Sequence, residues 1–80
     1  MNRKEIENKV KRIVAEQFGL DPEEIDPATD FLADLNADSL DAIEIIMCIE
    51  DEFGIAITDE DADLLTNVEM VLNYVEKKIM

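Results

Sequence analysis

Helical periodicity of the apolar residues leaves this sequence little choice of fold. Three segments place apolar side chains at every third or fourth position, the spacing that brings them onto one face of an α-helix. The first lies between Asn2, a typical N-cap, and Gly19, a typical helix end. The second runs from Ser39 to Phe53 and is stopped by Gly54. Both segments predict helices long enough to pack against one another.

A third long helix is predicted after a capping box near the end of the chain. In this pattern Thr66 would cap the helix and Glu69 would reach back to the backbone. The last turn carries two lysines, which the helix dipole favours there. A shorter helix is predicted just before it, opened by Thr58 and continuing through Leu65.

A long connection separates the first two main helices. A brief helical turn is predicted at Pro22, and residues 28–38 then form a loop. This loop contains Phe31, Leu32 and Leu35, which we expect to pack onto the helices because they are apolar. The sequence therefore predicts an all-α fold. It is a small four-helix bundle of three main helices and one short helix, with a long loop between the first two main helices, in one domain.

Acidic residues outnumber basic ones by 21 to 7, which gives the 80-residue chain a net charge of -14 at pH 7. All of the acidic residues except Glu5 and Glu7 lie between Ile13 and Glu76, a stretch without any basic residue. Binding of nucleic acid through its phosphates needs a basic patch, so this function is excluded. An anionic membrane surface is disfavoured for the same reason.

Histidine is absent and cysteine occurs once, as Cys48. These two facts exclude a histidine-based catalytic triad, an intrachain disulfide and a cysteine zinc cluster. Since no catalytic constellation is visible, we expect a protein that is not an enzyme and holds no metal. No stretch approaches the roughly 18 apolar residues of a membrane span, and no secretory signal is visible. A chain without a disulfide fits a reducing compartment, so we expect a cytoplasmic protein. We also expect a monomer.

The predicted helix from Ser39 to Phe53 has two apolar faces. At about 100° per residue, one face gathers a core stripe of Ala42, Ile45, Ile46, Ile49 and Phe53. A second stripe, roughly 140° away by the same winding, contains Leu40, Ile43 and Met47. Its acidic neighbours are Asp41, Glu44, Glu50 and Asp51. Either this helix is deeply buried under the 28–38 loop, or the second stripe is a docking surface with an acidic rim. The charged neighbours favour the docking surface.

Ser39, at the start of this helix, has two possible roles. It could be the N-cap, a very common role for serine. Alternatively, Asp38 is the N-cap with Asp41 as its partner in the first turn, and the Ser39 hydroxyl is then free in solvent. No residue of the chain could activate this hydroxyl as a nucleophile, so a partner enzyme would have to supply the base.

Several stretches of the sequence form a pattern that is more specific than that of a generic helical bundle. One is the loop sequence Phe31-Leu32-Ala33-Asp34-Leu35, and the next is Asp38-Ser39-Leu40-Asp41. The following helix contributes Ile43-Glu44-Ile45-Ile46-Met47 and Glu50-Asp51-Glu52-Phe53-Gly54. The entry to the short helix reads Ile57-Thr58-Asp59-Glu60-Asp61-Ala62. Together they closely resemble an acyl carrier protein of fatty-acid synthesis, over almost the whole chain.

This resemblance implies that Ser39 carries 4′-phosphopantetheine, transferred from coenzyme A by a phosphopantetheinyl transferase (a holo-carrier synthase). The thiol of this arm would hold growing fatty acyl chains as thioesters, and the apolar core of the bundle would shelter them. Fatty-acid synthesis enzymes with basic docking patches are the other implied partners. The resemblance assigns eight residues to partner binding: Asp38, Leu40, Asp41, Ile43, Glu44, Met47, Glu50 and Asp51.

The sequence departs from the usual family pattern at three positions. Asn36 stands where a glycine is common, and asparagine tolerates left-handed backbone angles. Thr58 stands where a proline is frequent, and it can cap the short helix instead. Cys48 lies beside the second stripe, and we expect it to be a small, half-buried side chain rather than a working thiol.

Two other functions stay open at this point. The first is a related carrier protein that loads aminoacyl or polyketide units. The second is an acidic module that binds divalent cations, because Asp59, Asp61 and Asp63 have the spacing of the first ligands of an EF-hand. Leu64 and Met70 occupy the positions where that motif needs glycine and glutamate, so an EF-hand is not expected.

Overall fold

The computed structural model describes residues 2–79 and is all-α, as predicted. Its elements are helix α1 (Arg3–Phe18), a 3₁₀ turn (Pro22–Glu24), helix α2 (Ser39–Phe53), helix α3 (Asp59–Leu64) and helix α4 (Val68–Ile79). Extended pairing within the described residues is limited to one isolated antiparallel bridge between Asp30 and Asn67. No helix among these residues is long and apolar enough to cross a membrane.

Local capping determines where α1 begins and ends. The side chain of Asn2 accepts a hydrogen bond from the backbone N–H of Glu5 at 2.9 Å, which satisfies one of the free donors of the first turn. At the other end Gly19 has φ 68°, and its N–H donates to the carbonyl of Ala15. Glycine adopts this left-handed conformation without a steric penalty, so the chain leaves the helix there. The predicted bounds of the first helix are confirmed.

The predicted capping box of the last helix is wrong by one residue. α4 begins at Val68, and the side chain of Asn67 accepts the N–H of Met70 at 2.9 Å. The N–H of Glu69, which Thr66 was expected to cap, donates instead to the carbonyl of Pro27 at 3.0 Å. The long loop therefore supplies an acceptor that no local sequence pattern could reveal.

The core is formed where α1 packs against α2 and α4. Its fully buried side chains are Ile6, Val10, Val14, Ile45, Ile49, Val68, Val71, Leu72 and Val75, with Ala15, Ile25, Phe31, Ala37 and Ile57 nearly so. The fully buried side chains of α2, Ile45 and Ile49, lie on the core stripe predicted for that helix. Complete burial of a single large aliphatic side chain stabilises the fold by about 1.5–3 kcal/mol, so burial of this set is the main contribution that favours the bundle.

The loop between the 3₁₀ turn and α2 packs onto the bundle only in part. Phe31 is buried and Leu35 is half-buried, as expected. Leu32, however, is 56% exposed, so the expectation that all three apolar residues pack inward is wrong. Asn36 has φ 55°, the left-handed conformation that its amide side chain tolerates. The turn therefore forms with an asparagine rather than a glycine at this position.

Cations of α1 form ion pairs with two neighbouring helices. Arg3 contacts Glu76 at 2.7 Å and Lys9 contacts Glu52 at 2.7 Å, while Lys11 pairs with Glu7 inside α1. The hydrogen bond and charge of Lys9 hold the pKa of the Glu52 carboxyl below its ordinary value. These pairs relieve little of the charge, because the structure describes no ion pair for the other acidic residues between residues 13 and 76.

Added salt is expected to raise the melting temperature. The unpaired carboxylates are closer together in the folded chain than in the unfolded one, so their repulsion opposes folding until ions screen it. Screening that recovers about 1 kcal/mol would raise the melting temperature by roughly 4–8 °C in a domain of this size. Circular dichroism melts at pH 7.5 in low and high sodium chloride measure the effect. A melting temperature that is unchanged or falls would contradict it.

A hydrogen bond between side chains ties α3 to α4. The Tyr74 hydroxyl donates to Asp61 Oδ2 at 2.7 Å, and the Lys78 ammonium lies 5.5 Å from the centre of the tyrosine ring. The hydrogen bond to Asp61 raises the pKa of the Tyr74 hydroxyl above its ordinary value, and desolvation and the Asp61 charge act in the same direction. The hydrogen bond between Tyr74 and Asp61 therefore stabilises the fold while the Tyr74 hydroxyl is protonated.

Titration of Tyr74 is expected to have a midpoint above about 10, the ordinary value for tyrosine. The contribution of this hydrogen bond to stability should be complete at pH values below the pKa of Tyr74 in the unfolded chain. It should be lost as the pH rises through the pKa of Tyr74 in the folded chain. Tyr74 is the single tyrosine and tryptophan is absent, so ultraviolet absorbance reports this group alone. Asp61→Asn should bring the midpoint down. A midpoint at the ordinary value in the unmodified chain would show that the bond does not form in solution.

Candidate functional site

Ser39 occupies the first helical position of α2, and Asp38 caps the helix. The Asp38 side chain accepts the N–H of Asp41 at 2.9 Å, and the Asp41 side chain accepts the N–H of Asp38 at 3.2 Å. This reciprocal capping box satisfies the N–H groups of Asp38 and Asp41 without using the Ser39 hydroxyl. Of the two roles that the sequence left open for Ser39, the structure therefore supports the free hydroxyl.

The start of α2 has the chemistry to receive a phosphate ester. Ser39 is exposed, and its hydroxyl makes no hydrogen bond within the described residues. The backbone N–H groups of Ser39 and Leu40 also have no acceptor within residues 2–79. Unpaired N–H groups and the positive end of the helix dipole favour a negatively charged group here. The site therefore fits a phosphodiester at the Ser39 oxygen.

A groove of about 520 Å³ opens beside Ser39, between α2 and α3. Its apolar lining is Leu32, Ala42, Ile43, Ile46, Met47, Ile57 and Ala62. Acidic residues at its edges are Glu50, Asp59 and Asp63. Exposed Leu32 thus lies on the wall of this groove, which explains why the loop does not bury it. A long apolar chain attached at Ser39 would find apolar side chains within reach.

The second stripe of α2 is exposed rather than covered by the loop. Leu40 is 62% exposed, Ile43 is 55% exposed and Met47 is 57% exposed. On the core stripe Ile45 and Ile49 are buried, and Ala42, Ile46 and Phe53 are partly so. The prediction of two distinct apolar faces is confirmed, and the alternative of deep burial is wrong. Three large exposed apolar side chains along one helix face form a patch of the kind that partners bind.

The acidic residues near this stripe are in three different situations. Asp38, Glu44 and Asp51 are exposed, and Asp41 is half-buried by its part in the capping box. Glu50 is also half-buried, and its Oε2 accepts the backbone N–H of Ile57 at 2.8 Å. The Glu50 carboxylate thus holds the connector between α2 and α3, residues 54–58, in place.

Gln17, in the last turn of α1, also belongs to this site, although sequence reasoning missed it. Its Nε2 donates to Asp41 Oδ1 at 2.9 Å and to Glu44 Oε2 at 2.6 Å. Gln17 lies 24 and 27 residues from these acceptors along the chain, so no local pattern indicates the contact. A glutamine near the end of an amphipathic helix carries no signal of its own.

Two further predictions about side chains can be compared with the structure. Cys48 is exposed rather than half-buried, because it lies outside the core stripe of α2. The possible cation ligands of α3 do not converge, and Asp61 accepts the hydroxyl of Tyr74 instead. Among residues 2–79 no group of three potential metal-ligating side chains is found. The structure gives the cation-binding alternative no support.

Comparison with known proteins determines the family. Residues 8–75 match the family model described as the phosphopantetheine attachment site. A curated acyl carrier protein from Thermosynechococcus vestitus (strain NIES-2133 / IAM M-273 / BP-1) is 51% identical over 79 residues, which cover 99% of this chain and 98% of that protein. The chain belongs to the acyl carrier protein family. An acyl carrier protein of Enterococcus faecalis has the same fold, with a TM-score of 0.82, 34% sequence identity, and coverage of 96% of this chain and 98% of that one.

Membership of the acyl carrier protein family fixes the general role. The protein is a carrier of fatty acyl chains in fatty-acid synthesis and not an enzyme, and its cofactor is covalently attached 4′-phosphopantetheine. Its partners are a phosphopantetheinyl transferase and enzymes of synthesis. The fold, family and cofactor that the resemblance implied are confirmed.

Proposed function

We propose that the Ser39 oxygen is the attachment point of 4′-phosphopantetheine, and that α2 presents this arm to partner enzymes. The observation that carries the proposal is that helix capping and the exposed hydroxyl belong to two different residues at the start of α2. Asp38 caps the helix, which leaves the neighbouring Ser39 hydroxyl exposed and without a hydrogen bond among residues 2–79. Ser39 is also the single serine of the chain.

The chain's own contribution to loading is to expose and orient this hydroxyl. No side chain accepts a hydrogen bond from Ser39 within the described residues, so the base that takes its proton belongs to the transferase. The N–H groups of Ser39 and Leu40 then favour the phosphate that the oxygen bears. When attached, the arm supplies a thiol that holds acyl chains as thioesters. The groove between α2 and α3 offers those chains an apolar surface.

The docking face that we propose consists of the second stripe of α2 and its acidic neighbours. Leu40, Ile43 and Met47 supply exposed apolar contacts, and Asp38, Asp41, Glu44 and Asp51 supply negative charge for basic patches on partner enzymes. Glu50 was included by the resemblance, but its bond to Ile57 favours a role inside the fold. A cytoplasmic, monomeric carrier stays a prediction.

The test of the attachment site is loading of the unmodified chain. Incubation with coenzyme A and a phosphopantetheinyl transferase should transfer one phosphopantetheinyl group to the chain. The pyrophosphate bond of coenzyme A breaks and adenosine 3′,5′-bisphosphate is released, and intact mass measures the gain. Fragmentation of a peptide that contains Ser39 should locate the group there. Absence of the mass gain, or its location on another residue, would contradict the proposal.

A further inference from the structure

The contact between Gln17 and α2 joins two carboxylates through one amide. The Gln17 Nε2 donates to Asp41 Oδ1 at 2.9 Å and to Glu44 Oε2 at 2.6 Å. A primary amide nitrogen carries two hydrogens, so each carboxylate receives one. The amide oxygen could not take this place, because it would face two acceptors. The chemistry of the three groups therefore fixes the orientation of the amide.

The hydrogen bonds from Gln17 keep the carboxylates of Asp41 and Glu44 close together. Asp41 and Glu44 are three residues apart on α2, so they lie on the same side of the helix and repel each other. Asp41 is already held by the N–H of Asp38 through its other oxygen. Glu44 is exposed and has no other bond among the described side chains, so Gln17 alone restricts it.

Gln17 holds this pair without neutralising it. No basic residue lies between residues 13 and 76, and the structure describes no ion pair for Asp41 or Glu44. A neutral donor therefore leaves two full negative charges beside the exposed stripe of α2. A lysine at position 17 would orient the carboxylates but also cancel much of their attraction for a cation.

We propose that Gln17 is a positioning residue of the docking face, which holds Asp41 and Glu44 as one convergent anionic site for a guanidinium or ammonium group of a basic partner enzyme. This inference rests on the proposed docking function of α2. Its advantage is preorganisation: the Glu44 side chain is already ordered before the partner arrives, so binding costs less conformational entropy. The docking face then extends from α2 to the end of α1.

Gln17→Met tests the proposal, because methionine keeps the length of the side chain and removes both donors. With a phosphopantetheinyl transferase and coenzyme A, KM for the carrier should rise about 3- to 10-fold, the range expected for losing the order of one side chain. The kcat should change less than 2-fold, since Gln17 makes no hydrogen bond to Ser39 among the described residues. Asn8→Met is the matched control: Asn8 is an exposed amide on the same helix, about 13 Å away along its axis, and should give wild-type kinetics.

A double-mutant cycle distinguishes positioning from direct contact with the partner. In a chain that already carries Asp41→Asn and Glu44→Gln, Gln17→Met should have no further effect on KM. An equal effect in both backgrounds, or a wild-type KM for Gln17→Met alone, would overturn the proposal. If the unmodified chain is not loaded at Ser39 at all, the proposed function fails instead, and the two failures are distinct.

A measurement on the unmodified chain keeps the proposal testable even if the variants fold poorly. Side-chain amide protons of Gln17 should exchange with solvent more slowly than those of Asn8, whose side chain makes no hydrogen bond among residues 2–79. Nuclear magnetic resonance of the ¹⁵N-labelled protein resolves both amides. Equal exchange rates would show that the clamp is not formed in solution and would overturn the proposal.

Discussion

Ser39→Ala is expected to abolish loading with phosphopantetheine completely while it leaves the bundle folded. The hydroxyl oxygen is the only atom lost, and it makes no hydrogen bond within the described residues. Alanine also has the best helix propensity, so the first turn of α2 should tolerate it. Intact mass after incubation with coenzyme A and a transferase gives the loading. Circular dichroism gives the fold, and a mass gain in this variant would refute the assignment.

Asp38→Ala is the structural counterpart of that experiment. Asp38 caps α2, so its replacement should cost about 0.5–2 kcal/mol of stability. Ser39→Ala should stay within about 0.5 kcal/mol of the unmodified chain, as exposed substitutions without contacts usually do. Urea unfolding of both variants measures the difference. If Ser39→Ala were the more destabilising, serine rather than aspartate would be the cap in solution.

The helix boundaries were predictable wherever the capping groups are local. Asn2 reaches the N–H of Glu5 three residues away, and Gly19 and Gly54 adopt the left-handed angles that end α1 and α2. Such interactions depend only on residues that are close in sequence, so local sequence patterns predict them. The start of α4 is different, because the carbonyl of Pro27 takes the N–H that local reasoning gave to Thr66.

The site was predictable to a similar extent. The exposed stripe of α2 follows from helical winding, and Ser39 follows from its motif. The choice between Asp38 and Ser39 as cap could not be made from the sequence, since both residue types cap well. Gln17 could not be found at all, because its partners come from another helix.

Surface side chains were the least predictable part of the molecule. Leu32 was expected inside and lines a groove instead, and Cys48 was expected to be half-buried and is exposed. The apolar character of a side chain predicts that its burial is favourable. It does not predict whether another part of the fold packs against that side chain. Glu50 shows the converse, because an acidic residue near the docking stripe turns toward the connector and bonds the N–H of Ile57. For all three residues, the packing between helices and loops determines where the side chain lies.

Reversing the charge of Glu44 is expected to slow docking more than any other single change on α2. Glu44 is exposed beside Ile43 and Met47, and its carboxylate forms no ion pair among the described residues, so its charge is available to approaching partners. Glu44→Lys should lower the association rate with a basic transferase by about 10- to 100-fold at low salt, because electrostatic steering sets that rate. The deficit should shrink as salt is added, since screening weakens attraction in the unmodified chain and repulsion in the variant.

Two further variants separate charge from contact. Met47→Ala removes an exposed apolar anchor and no charge, so it should raise the dissociation rate and leave the salt dependence unchanged. Glu23→Lys changes the net charge by the same amount as Glu44→Lys, but on the exposed 3₁₀ turn outside α2. Stopped-flow binding at several salt concentrations gives both rates. If Glu23→Lys slowed association as much as Glu44→Lys, net charge alone would steer the partner, and α2 would hold no specific electrostatic site.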